Sequence, residues 1–175
     1  MKPAFLTGER VYIRSMKLDD KDRATAWFNS VFPVNAVRAE KFLRDEVKDV
    51  WGARRKYFVI VRIEDDTVIG GIKKKSWDMR TADLTFRMAP HLSSEDADQY
   101  KAEAIRLFVP WLRDEHEYMT QTIEIAEDET ACLQTMEDMD LYFGARFRGY
   151  LRRPGGRIDL LVYQALNPKW EVVNA

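Results

Sequence analysis

The sequence predicts a mixed α/β (α+β) fold, with a central, largely antiparallel sheet flanked by helices. Three observations carry this expectation. Strand-period and helix-period segments follow one another as β, α, α, β, β, β, α, β, α, β, β. Two tight turn signals, Glu64-Asp65-Asp66 and Arg153-Pro154-Gly155-Gly156, join consecutive strand segments as hairpins. Between them, a strand, a long helix and a second strand run from Ala82 to Ala126 in the manner of a crossover unit. A chain of 175 residues is enough for one domain, 1–175, with a substantial core.

The elements follow in order. Arg10-Val11-Tyr12-Ile13-Arg14 alternates as a first strand. A helix opens near Leu18, with Asp19 as N-cap and Ala24, Trp27, Phe28 and Val31 on its apolar face; Pro33 ends it. A second helix covers Ala36 to Val50, with Leu43, Val47, Val50 and Trp51 in one stripe. Tyr57 to Ile63 is a β-branched and aromatic run suited to a central strand, and Thr67 to Ile72 returns beside it. Lys73-Lys74-Lys75 reads as a solvated strand end. Ala82 to Met88 alternates cleanly, and Ser93 caps a long helix whose stripe is Tyr100, Ala104, Leu107, Phe108, Trp111 and Leu112, with Pro110 inside it. Met119 to Ala126 is the next strand. Glu129 to Phe143 is read as a helix ended by Gly144 in a left-handed C-cap. Residues 147–151 and 158–166 form the final hairpin.

Composition excludes several classes. Net charge is −1, so no general field attracts nucleic acid or an anionic membrane, and no partner of either kind is expected. No N-terminal secretory pattern and no membrane-length apolar run is visible, which makes the cytoplasm the expected compartment. The single cysteine, Cys132, excludes an internal disulfide and a cysteine-based zinc site; two distant histidines give no ligand spacing, so no metal is expected. Arg146, Arg148, Arg152, Arg153 and Arg157 gather near the last hairpin as solvated arginines or as a patch for an acidic partner.

Several stretches, taken together and in order, resemble the GNAT superfamily of acyl-CoA-dependent N-acyltransferases. They are Leu6-Thr7-Gly8-Glu9-Arg10-Val11-Tyr12-Ile13-Arg14 with Leu18-Asp19-Asp20, then Val68-Ile69-Gly70-Gly71-Ile72, then Gly155 to Tyr163 ending in Lys169-Trp170. The likeness covers nearly the whole chain and looks strongest to the branch that acetylates ribosomal-protein N-termini, with its drug- and polyamine-acetylating relatives. It implies acetyl transfer from acetyl-CoA to a primary amine of a small molecule or peptide, by direct attack of the free amine.

The resemblance also implies site positions. The family holds the CoA pyrophosphate with a Gly-containing loop before a helix that often begins Glu-Ala. Taking Glu103-Ala104 as the register puts that loop on Asp96-Ala97-Asp98-Gln99-Tyr100-Lys101, without its glycines. Met88, Ala89, Ala97, Asp98, Gln99, Tyr100 and Lys101 are then the cofactor-binding candidates. Glu95, Asp96 and Asp98 suit the positive end of a helix and repel a pyrophosphate, by ~1 kcal/mol per close pair in water. Leu141-Tyr142 through Phe147 matches a family motif that supplies the acid, with Arg146 in place of Gly; a competing register puts Thr135 there and leaves no acid. Glu124, Asp83 and His91 are the candidate bases.

Two alternatives stand beside the acetyltransferase reading: a GNAT-fold protein that binds or regulates without catalysis, and an acyltransferase with a donor other than CoA. The oligomeric state is open. A homodimer is compatible with Trp27, Trp51 and Trp170, which offer apolar contact area where exposed.

Overall fold

The computed structural model describes residues 5–28, 34–45, 55–76, 78 and 80–170. Its strands are β1 (Leu6–Thr7), β2 (Val11–Ser15), β3 (Arg55–Arg62), β4 (Val68–Ser76), β5 (Thr81–Met88), β6 (Thr120–Ala126), β7 (Tyr142–Arg153) and β8 (Gly156–Leu166). They form one eight-stranded sheet in the order β1-β2-β3-β4-β5-β6-β8-β7. Only β5 and β6 run parallel; every other neighbouring pair is antiparallel. The helices are α1 (Ala24–Trp27), α2 (Ala36–Asp45), α3 (Ser94–Asp114) and α4 (Thr130–Asp138), and a 3-10 segment, Leu18–Arg23, precedes α1. Among the described residues, no helix is long and apolar enough to cross a membrane.

The sheet divides the core in two. On one face, Phe58, Ile72, Leu84, Phe86, Ile123 and Ile125 pack with Ala104, Ile105, Phe108 and Leu112 of α3 and with Met136 of α4. On the other, Tyr12, Val59, Val61 and Val68 pack with Ala24, Trp27, Ala39 and Leu43. Gly71 lies where α1 crosses β4: a Cβ there would sit 2.6 Å from that of Trp27. The glycine lets a bulky indole rest on the strand.

Several expectations are corrected. The first helix begins as a 3-10 segment with Lys17, not Asp19, at its N-cap; Asp20 accepts the Lys17 N–H at 2.7 Å and pairs with Arg14. The second helix is described to Asp45, so Val47, Val50 and Trp51, like Val31 and Pro33, lie outside the described residues. Lys74 is not a solvated strand end. It is buried, and its ammonium donates to Ser76 Oγ at 3.0 Å and to the Tyr118 hydroxyl. The fourth helix stops at Asp138. Asp140, at φ 52°, supplies the left-handed residue that Gly144 was expected to supply, and residues 142–153 are strand. Trp27 is core, and Trp170 carries the Arg80 guanidinium over its ring at 3.9 Å.

Candidate active site

The site follows from how β5 and β6 separate. Their register runs Thr81↔Thr120, Ala82↔Gln121, Asp83↔Thr122 and Leu84↔Ile123, and then stops. Beyond it, Thr85–Met88 remains paired to β4 and Glu124–Ala126 to β8. The sheet therefore opens into a wedge between the two strands. Ala89 donates its N–H to Ile69 O of β4 at 2.8 Å. Because N–H groups alternate sides along a strand, those of Phe86 and Met88 point away from β4 and into the wedge. Two backbone donors directed into a gap between strands suit a carbonyl oxygen, and more so one gaining negative charge.

The mouth of the wedge is flanked by two helix starts. Ser93 caps α3, accepting the Asp96 N–H at 3.0 Å and donating its hydroxyl to Asp96 Oδ2 at 2.7 Å. Ala97 donates to Ser93 O at 2.9 Å, so the helical ladder has begun by that residue. The N–H groups of Ser94 and Glu95 are left as the outward donors of the first turn. At α4, the Asp98 carboxylate accepts the N–H groups of Ala131 at 2.7 Å and Cys132 at 3.0 Å. Lys101 pairs with Glu129 at 2.7 Å, and Glu129 also accepts the Ala126 N–H at 2.8 Å. Burial raises the Cys132 thiol well above its usual range, so it is a packing residue.

Each sequence candidate now has a place. Met88 lies on the wedge with a donor turned into it. Ala89 lies beside it but spends its N–H on β4. Ala97, Asp98, Gln99, Tyr100 and Lys101 do not form a loop: α3 starts at Ser94 and contains them, so their N–H groups serve the helix. Four of them are also engaged elsewhere. Asp98 and Lys101 bind the α4 start; Tyr100 lies 5.4 Å under the Arg10 guanidinium, and the Gln99 carbonyl accepts from Arg10. Glu103 is a tether whose carboxylate accepts the N–H groups of Arg10 at 2.8 Å and Val11 at 3.2 Å.

Glu124 is exposed at the wedge, on the sheet face opposite α3. Asp83 is on the same face, below the opening, with Lys75 opposite it in register. His91 is exposed in the loop after β5, and no hydrogen bond joins it to Glu124. Tyr142 is not at the wedge. It opens β7, 61% exposed, opposite Gln164, which is opposite Thr122. That is two strands out from β6, or roughly 10 Å. Thr135, the competing position, is buried and donates its hydroxyl to Ala131 O at 2.8 Å. Among the described residues, no group of three or more His, Cys, Asp or Glu side chains is placed to hold a metal.

Solved structures of other proteins match this fold over nearly the whole chain. A Sphaerobacter thermophilus protein assigned as an acetyltransferase is 46% identical, covering 95% of this chain and 99% of that one, with a TM-score of 0.74. The chain belongs to the GNAT acetyltransferase family. A GNAT-family acetyltransferase from Bacillus anthracis matches at 17% identity over 93% of this chain and 98% of its own, TM-score 0.62. A spermidine/spermine N-acetyltransferase from Vibrio cholerae matches at 12% over 91% and 94%, TM-score 0.68. These two support the fold alone. No protein-family model and no curated protein matches the sequence.

Sequence reasoning missed Glu129 and the capping role of Asp98. Residues 98 and 131 are far apart in the chain, and no local pattern links them. Met88 stood among the cofactor-binding candidates, whereas Phe86 was legible only as a strand residue, since the divergence of β6 is a tertiary event.

Proposed function

We propose that this GNAT protein transfers an acetyl group from acetyl-CoA to a primary amine at the wedge between β5 and β6. The register that ends at Leu84↔Ile123 supports this reading above all. In it, the thioester carbonyl accepts from the wedge-facing N–H groups of Phe86 and Met88, and the diphosphate lies against the Ser94 and Glu95 N–H groups. The amine approaches from the face that carries Glu124. Glu124 takes the ammonium proton, directly or through water, so that the neutral nitrogen attacks the carbonyl. A C–N bond forms and the C–S bond breaks. The attacking nitrogen still carries two hydrogens and gives one up to water as the intermediate collapses. The departing thiolate, with the basicity of an ordinary thiol, ~8.5, takes a proton from water, so no acid is required of Tyr142.

One observation favours the non-catalytic binding reading instead. The first turn of α3 presents two free N–H groups together with Glu95 and Asp96, a poorer seat for a diphosphate than a glycine loop. Calorimetric titration with acetyl-CoA, followed by thiol release in the presence of an amine panel, separates the two. Binding with turnover supports the enzyme. Binding without turnover across the panel supports the second reading, and absence of binding removes CoA from both.

A further inference from the structure

The face of the sheet on which the amine approaches has its own charge pattern. Lys73 of β4, Thr85 of β5 and Glu124 of β6 project from it at adjacent levels: Lys73 is opposite Thr85, and Glu124 follows the last paired residue of β6 just as Thr85 follows that of β5. Lys73 and Glu124 are exposed, and neither side chain makes a hydrogen bond or ion pair among the described residues. One level below, Lys75 faces Asp83, and their opposite charges offset each other. Two residues further along β5, Arg87 adds positive charge on the Lys73 side. Beyond Lys73 stands an aromatic wall, for Tyr57 is opposite Lys73 in register and meets Phe42 edge to face at 5.1 Å.

We infer that the acceptor is an amine that also carries an anionic group, a carboxylate or phosphate, held by Lys73 while its ammonium is drawn to Glu124. This inference rests on the acetyltransferase reading of the wedge. Two strand spacings of ~4.8 Å put the two Cα atoms about 10 Å apart, and further where the strands diverge. A chain of about four methylenes, with a charge-assisted contact of ~2.8 Å at each end, bridges that span. A diamine or polyamine needs a second carboxylate where Lys73 stands, and meets a like charge instead. Lys73 is therefore a specificity residue that turns the site away from polycations, and the Tyr57–Phe42 wall accepts the apolar part of the acceptor.

Three five-carbon amines isolate the effect: 5-aminopentanoate, pentylamine and 1,5-diaminopentane end respectively in a carboxylate, a methyl group and an ammonium. Their affinities are read by ligand-observed NMR on the full chain without acyl donor. The expected order is 5-aminopentanoate tightest, by about five- to tenfold over pentylamine, with the diamine weakest. Lys73→Ala should level the first two, and Lys73→Glu should move the diamine to first place. Lys73 is exposed, so both variants keep the fold. Equal affinities, a diamine preference in the wild type, or an order unchanged by Lys73→Glu would overturn the inference. Because the ranking is read without a donor, a later failure of acetyl transfer counts against the acetyltransferase reading alone.

Discussion

The two helix starts at the mouth of the wedge solve the same problem differently. Each begins with N–H groups that lack a partner in the preceding turn. The α3 start is served locally, by Ser93 and by the acidic residues Glu95 and Asp96. The α4 start is served from outside, by Asp98, which belongs to α3. A local cap can be lost without moving anything else. A cap borrowed from another helix ties the two elements together, so Asp98 is as much a clamp as a cap. The same residue cannot also serve a diphosphate.

Substitutions sharpen that contrast, and the largest effect should come from the clamp. Asp98→Ala leaves two N–H groups unmet, that of Cys132 buried and that of Ala131 partly so, and should cost about 3 kcal/mol in urea denaturation, whereas Ser93→Ala should cost only ~1 kcal/mol. Equal losses would erase the distinction. Gly71→Ala presses a methyl against Trp27 and should cost about 2 kcal/mol without touching either helix start.

A smaller effect concerns acid. Hydrogen bonding to Arg153 holds the Asp128 carboxyl below its ordinary range. A depressed carboxyl adds stability above its unfolded value, ~4, and loses it as pH falls through the folded value. Both side chains are well exposed, so the contribution should stay under ~1 kcal/mol. Asp128→Asn should accordingly lower stability near neutrality and converge with wild type in acid. The smallest effect is at His116, which desolvation, with Lys74 and Lys56 nearby, holds below its usual value. That contribution is present above ~6.5 and lost as pH falls below it. An NMR titration should find the midpoint lowered, and Lys74→Met should raise it.

The sheet was legible because its signals are local. Alternation fixed β5 and β6, the Glu64-Asp65-Asp66 turn fixed the β3–β4 hairpin, and Ser93 with Asp96 marked the start of α3. The same start puts Asp96 to Lys101 inside α3, so the stretch that the Glu103-Ala104 register implies is a loop is helix in the structure. The α4 end failed for a related reason. The sequence carries the helix on to Phe143, but Asp140 adopts a left-handed conformation and the chain enters β7 at Tyr142. The wedge, the Asp98 clamp and the placement of Lys73 and Glu124 on strands either side of β5 depend on which strands stay together and where they part. None of that is written in a single segment.

The most direct test of the account is amide hydrogen exchange with and without acetyl-CoA. Donor binding in the wedge predicts slowed exchange at Phe86 and Met88 and at the Ser94 and Glu95 N–H groups, with the amides of Ala131 and Cys132 unchanged because Asp98 already holds them. Protection that bypasses Phe86 and Met88, or that appears at Ala131 and Cys132 instead, would contradict it.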